Sequence, residues 1–226
     1  MGKFLDMDSP FMRVLNRVAD LMIMNFLMMI CCIPVITAGA AFTAMHYVFL
    51  KVVRGEEGYL IKGFFKSFKE NFKQATIIWL LMLLVIAVYV GDSFIFNYSG
   101  LTFPKALVIA VVAVAVLLVL AAVYVFPLQA RFENSVKNTL KNAMILAFAN
   151  LPKTLLMVVC YALPIVIVYF SSYAVLFVFL FGISAPAYGA AWIYSGIFKK
   201  LEPETEEVSD LEFSLRIDEG NQEIDG

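Results

Sequence analysis

One histidine, His46, and three cysteines, Cys31, Cys32 and Cys160, are the side chains of this chain best suited to nucleophilic, acid–base or metal chemistry. A histidine at that work needs a partner group within hydrogen-bond reach, and a metal needs several ligands at fixed spacing. Nothing near His46 supplies such partners; it stands among apolar residues and reads as a packing residue. Cys31 and Cys32 are adjacent and Cys160 lies in another apolar run, so neither a disulfide framework nor a metal spacing follows. A Gly-rich phosphate loop, a nucleophile paired with a base and a carboxylate dyad on one face are all missing from the sequence. The expectation is no enzyme, no cofactor and no metal.

The spacing that stands out lies between Lys62 and Lys73, where four lysines and four phenylalanines share one short stretch. At about 100° per residue, Lys62, Lys66, Lys69 and Lys73 fall within an arc of roughly 60°, beside an arc of about 100° holding Ile61, Phe64, Phe65, Phe68 and Phe72. This is the pattern of a membrane-interface helix, ammonium groups toward headgroups and rings toward lipid. Full burial of one Phe is worth about 1.5 to 3 kcal/mol, against about 1 kcal/mol for a Lys near an anionic surface. The rings thus hold such a helix at least as firmly as the charges, and it is expected to stay docked at high salt. Just upstream, Arg54, Glu56, Glu57, Gly58 and Tyr59 form a candidate partner contact, with local pairing of the glutamates to Lys62 as the plainer alternative. Gly55 and Gly58 let the chain turn sharply there.

The elements that position these residues follow from hydropathy. Apolar residues make up 62% of the chain, charged residues 15%, and the mean hydropathy is +0.86. A soluble domain of this length cannot bury that much apolar surface, so the chain reads as an integral membrane protein. Ser9 and Pro10 mark a helix start, an apolar run follows from Val18 to Ile33, and Pro34 stops it. A second, short apolar stretch runs to Val53. Further spans are expected at Ala75 to Phe96, Pro104 to Gln129, Thr154 to Phe170 and Tyr173 to Phe198. Six spans gather Lys3, Arg13, Arg17, the bases of 51–73 and 131–153, and Lys199 and Lys200 on one side; five strand the N-terminal bases opposite the rest. The predicted fold class is therefore an all-α, polytopic transmembrane helical bundle of about six spans, five being possible, with amphipathic cytosolic interface helices and both termini cytosolic. Residues Met1 to Lys51 read as retained structure, without a leader cleavage site.

Charge divides the chain into a transmembrane domain, 1–200, with 16 bases and 8 acids, and an acidic cytosolic tail, 201–226, with 10 acids and Arg216. That composition predicts a flexible, solvated tail. The alternation of Leu211, Phe213, Leu215 and Ile217 offers, as an alternative, a strand for a partner's sheet edge. Among polar residues in or near the spans, Asp20, Arg131 and Asp92 lie near ends where side chains reach water. Gln129 belongs to the same group of candidates, and the deeper Asn25 reads as a hydrogen bond between helices. Phe132, Val136, Leu140 and Ile145 predict that the preceding span continues as a cytosolic helix to a turn at 150–152. Gly39 and Gly189 open matching Gly-Ala-Ala-aromatic runs, each after a proline, whose small residues allow close helix contact.

The runs Pro34-Val-Ile-Thr-Ala-Gly39, Arg54-Gly-Glu-Glu-Gly-Tyr59 and Phe64-Phe-Lys-Ser-Phe-Lys-Glu-Asn-Phe-Lys-Gln-Ala75, with Lys51, Trp79 and Leu151-Pro-Lys-Thr154, together resemble the YesL-like family of bacterial membrane proteins. It is a domain-of-unknown-function family. The resemblance covers roughly residues 5–200, is most specific from Arg54 to Trp79, and leaves out the acidic tail. It implies a bacterial plasma-membrane protein encoded beside carbohydrate ABC importers and glycan-degrading enzymes, and supplies no catalytic residues. The function implied is an accessory membrane subunit of an oligosaccharide importer, associated with permease subunits and, through them, with an ATPase and a sugar-binding protein. The sequence has no Walker motif and no extracellular domain large enough to capture a sugar, so the chain would work through such partners and membrane lipid, not nucleic acid. Two other readings stay open. One is a stand-alone transporter for a neutral solute, with Tyr47, Trp79, Tyr89, Tyr161, Trp192 and Tyr194 as stacking surfaces; the other is a sensor or assembly factor for polysaccharide utilisation that signals through the tail.

Overall fold

The computed structural model describes residues 10–56, 58–98 and 104–202. The expectations placed on Lys3, Ser9, Glu57 and the tail beyond residue 202 lie outside the described residues. Among the described residues the chain is helical, without a strand. Its helices are α1 (Pro10–Cys32), α2 (Ala38–Arg54), α3 (Leu60–Tyr98), α4 (Lys105–Arg131), α5 (Val136–Ala149), α6 (Leu151–Phe170), α7 (Val175–Phe181) and α8 (Ser184–Phe198). Five segments, those of α1, α2, α3, α4 and α6, are long and apolar enough to cross a membrane, and α7 with α8 makes a sixth if their 53° bend is taken as one broken span. Large apolar side chains such as Leu84, Ile109 and Ile165 stand exposed on these helices. That fits a multi-pass membrane protein, since lipid accommodates such surface and water does not.

Small residues make α2 the hub. Ala38, Gly39, Ala40, Ala41 and Ala44 keep its first turns thin, and it packs against α1, α3, α4 and α8. The closest approach is at Gly39, where a Cβ would collide with the carbonyl oxygen of Ala75 and the Cβ of Trp79. Trp79 fastens the contact by donating Nε1–H to the Val35 carbonyl at 2.8 Å, and its ring meets Phe42 and Phe126. Gly189, the counterpart in the sequence echo, is different: a Cβ there meets Cys160 Sγ at 3.9 Å, an ordinary contact. Gly39→Ala is therefore expected to cost about 1 to 3 kcal/mol, because α2 and α3 must separate. Gly189→Ala is expected to stay within about 0.5 kcal/mol of the parent. Paired thermal melts in detergent check this, and equal shifts would remove the case for a single tight contact.

At its other end α2 stops at Gly55, which takes the left-handed conformation, φ 73°, and donates its N–H to the carbonyls of Lys51 and Val52. Glycine meets that requirement without Cβ strain. Gly58, expected to serve the same turn, needs no positive φ.

Helix α3 departs from expectation. It runs unbroken for 39 residues, about 58 Å at 1.5 Å per residue, so Lys62–Lys73 is the first third of a span and not a separate interface helix. Gln74, Ala75 and Thr76 follow it without a proline or glycine, so nothing halts the helix before the apolar part. Lys62, Lys66, Lys69 and Lys73 are exposed as predicted, as are Phe65 and Phe72, but Phe68 is partly buried and Phe64 is wholly inside the core. A face of Phe64, Ser67, Asn71, Ala75 and Ile78, spaced by three or four residues, turns inward.

The predicted continuation of the next span is also corrected. α4 ends at Arg131, and α5 starts afresh after Ser135, whose Oγ accepts from the Asn138 N–H at 3.4 Å. A serine at that position favours a new helix start, and α5 folds back along α4.

Candidate functional site

The termini of α2 and α4 and the segment after α8 meet at one end of the bundle, which is rich in bases. Glu202 accepts from both Nη atoms of Arg54 at 2.9 Å and from Arg131 Nε at 2.7 Å. Only 7% of the Arg54 side chain is exposed, against 22% for Glu202 and 37% for Arg131. Arg54 is thus turned inward, which corrects its reading as a surface contact for a partner. It ties the start of the acidic tail to two helix ends.

One turn earlier on α2, Lys51 borders a pocket of about 200 Å³ whose lining includes Tyr47, Glu56, Gly58, Tyr59, Lys62, Gly63 and Lys66. The structure so brings together Glu56, Gly58 and Tyr59 of the predicted partner segment with Lys62 and Lys66 of the predicted interface helix. Lys69, Phe72 and Lys73 lie farther along α3, outside this lining. Glu56 pairs with Lys51 at 3.8 Å instead of with Lys62. The Lys62 ammonium sits 4.7 Å from the centre of the Tyr59 ring, and that of Lys51 sits 5.1 Å from the centre of the Tyr47 ring.

Deeper in the bundle three sets of polar side chains are satisfied by groups on neighbouring helices. Tyr161 O–H donates to His46 Nε2 at 3.3 Å, His46 Nδ1–H donates to the Tyr194 oxygen at 3.2 Å, and Tyr194 O–H donates to the His46 carbonyl at 3.3 Å. One neutral tautomer, assigned from this network, meets all three bonds. Through these bonds His46 joins α2, α6 and α8. A second knot escaped the sequence reading: Gln129 Nε2 donates to Asn71 Oδ1 at 3.2 Å and Gln74 Oε1 at 2.7 Å, while its Oε1 accepts from Thr139 at 3.2 Å. It joins α3, α4 and α5. Asn25, as expected, bridges helices: its Nδ2 donates to the Phe179 carbonyl at 2.8 Å, and its Oδ1 accepts from the Ile183 and Ser184 N–H groups at 3.0 and 3.1 Å.

Residues 21–93 match a domain-of-unknown-function family, described as Protein of unknown function, DUF624. No curated protein and no solved structure matches the chain. The DUF624 segment holds Asn25, the Gly39 contact, His46, Arg54 and the three pocket lysines, whereas Arg131, Tyr161, Tyr194 and Glu202 lie beyond it.

A mainly apolar groove of about 640 Å³ lies between α3, α4 and α6, with Tyr89, Asp92 and Ser93 as its polar members. Of the six aromatic residues proposed as stacking surfaces, Tyr89 lines it and the other five do not: Tyr47 borders the pocket at Lys51, Tyr161 and Tyr194 belong to the His46 knot, Trp79 packs on Phe42 and Phe126, and Trp192 is 61% exposed. Among the described residues no group of three His, Cys, Asp or Glu side chains gathers as a metal site.

Proposed function

We propose that this chain, read as YesL-like, is a non-catalytic accessory membrane subunit of a bacterial carbohydrate ABC importer, associated with permease subunits in the plasma membrane. The base-rich end and both termini face the cytosol. The sequence resemblance supports the identity of the partners, and the positive-inside rule supports the orientation. One observation supports the mode of action: the side chains of His46, Gln129 and Asn25 are spent on neighbouring helices, and the groove between α3, α4 and α6 is lined mainly by apolar residues. A solute path wants polar groups turned toward a lumen, whereas an apolar groove between helices suits packing against another membrane helix.

The test is affinity purification of the full chain from its own membranes in mild detergent, followed by mass spectrometry. Permease subunits are expected to remain attached; their repeated absence would overturn the reading. If the segment before α3 grips them, Glu56→Lys with Glu57→Lys is expected to release the permeases while the chain itself is recovered intact. Undiminished co-purification would remove that segment from the contact.

A further inference from the structure

We propose that the pocket between the last turns of α2 and the first turns of α3 binds a phosphate group, carried by an anionic phospholipid headgroup or by a free phosphate compound. This inference does not depend on the importer reading. Lys51, Lys62 and Lys66 line the space, with Glu56 as the one carboxylate among the described lining residues. At about 200 Å³ it is smaller than the roughly 300 Å³ at which sites for whole drug-sized molecules begin, and it suits a single polyatomic anion.

Two of the cations are already held in place, Lys51 over Tyr47 and Lys62 over Tyr59, so less side-chain freedom is lost when an anion arrives. Glu56 is a weak competitor. Its carboxylate is 3.8 Å from Lys51 and 40% exposed, the geometry of a surface pair worth little in water. A phosphate presents oxygens in several directions around one atom and can meet three separate ammonium groups, where a planar carboxylate meets fewer. The first turn of α3 adds to the same potential. Leu60 and Lys62 line the pocket, and the residues before the helix are Gly58 and Tyr59, with no Ser, Thr, Asp or Asn there to cap its N–H groups.

Lipid also has a route to the site. The α3 face that bears Lys62 and Lys66 continues at helical spacing through Lys69 and Lys73 to Ile77, Leu80 and Leu84, and all seven are exposed. A cationic track therefore runs from the apolar, lipid-facing surface to the pocket.

The experiment titrates the full chain in mild detergent with phosphatidylglycerol, followed by native mass spectrometry, and then adds inorganic phosphate. The triple variant Lys51→Gln, Lys62→Gln, Lys66→Gln is expected to weaken phosphatidylglycerol binding at least about tenfold. The control Lys69→Gln, Lys73→Gln, on the same face but off the pocket, is expected to change it by less than about twofold. Displacement of the lipid by millimolar inorganic phosphate assigns the site to free phosphate compounds, and retention assigns it to the lipid. Equal weakening in both variants overturns the proposal, because surface charge in general would then draw the lipid. Displacement by a peptide of residues 203–226 overturns it as well, making carboxylates the occupant. If the triple variant is not recovered folded, acetylation of the unsubstituted chain decides. Phosphatidylglycerol is expected to slow modification of Lys62 and Lys66 relative to Lys69, and an unchanged ratio sinks the idea.

Discussion

Glu202→Gln is expected to destabilise the chain by about 2 to 3 kcal/mol, read as a fall of several degrees in Tm in detergent. The substitution keeps the shape of the side chain and removes its charge. Arg54, 7% exposed and bonded through both Nη atoms to Glu202, is left as a buried cation facing a second cation, Arg131. Breaking a fully buried pair costs about 3 to 5 kcal/mol, and the water contact kept by Glu202 and Arg131 sets the expected loss below that. Arg54 Nε is already buried without an acceptor among the described residues, so the guanidinium is incompletely satisfied even with Glu202 in place. Arg54→Met combined with Glu202→Leu is expected to recover much of the loss, since no unpaired buried charge remains. A double variant as unstable as Glu202→Gln would show that packing, and not charge, holds these helix ends.

The same cluster has a defined pH response. Burial pushes the Glu202 carboxyl up, but hydrogen bonds from Arg54 and Arg131, together with their charges, outweigh it and leave the group below its ordinary value of 4.5. The folded chain thus holds this proton less tightly than the unfolded chain. The stabilisation is present in full above about pH 4.5 and is lost as pH falls through the lowered folded value. The stability gap between the parent and Glu202→Gln is expected to be constant from pH 8 to 6 and to close only in that acidic range. A gap that closes near neutrality would assign the effect to another group.

Much of the architecture could be read from local chemistry, because each signal acted within a few residues. Pro34 separates α1 from α2, Gly55 ends α2, and Gly39 lies where two helices touch. Long-range pairings left no such mark. Arg54 and Glu202 are 148 positions apart, and nothing in the acidic run that begins at Glu202 gave a hint that this residue would be drawn against α2. The lysines of α3 obscured its other side. Ser67, Asn71 and Gln74 stand among those lysines in the sequence, yet Ser67 is buried and the two amides meet Gln129. Gln129 in an apolar span carried the complementary signal: a buried amide needs partners, and α3 offered a polar stretch at the matching end. The unbroken α3 and the restart of α5 were also legible, the first from the absence of a breaker after Lys73, the second from Ser135 as a cap.

Asn25→Leu is expected to be the other large effect, about 2 to 4 kcal/mol, because one side chain satisfies three backbone groups at the break in the last span. α7 ends at Phe181 and α8 begins at Ser184, with a 53° bend between them. Such a break frees carbonyls at the end of one helix and N–H groups at the start of the next, and in an apolar setting no water replaces the missing bonds. Asn25 is 1% exposed and meets one of those carbonyls and two of those N–H groups from α1. Leucine fills similar space and offers none of the bonds, so α7 and α8 are expected to shift against α1 until other partners are found. Labelling gives the decisive readout. Ser184 Oγ is buried with no partner among the described residues, so Ser184→Cys introduces a thiol without removing a bond. That thiol is expected to react with a maleimide much faster in the Asn25→Leu background than beside Asn25. Equal rates would mean that the bend is held by packing of Phe26 on Phe179, whose rings lie 6.0 Å apart edge to face, and that the amide is incidental to it.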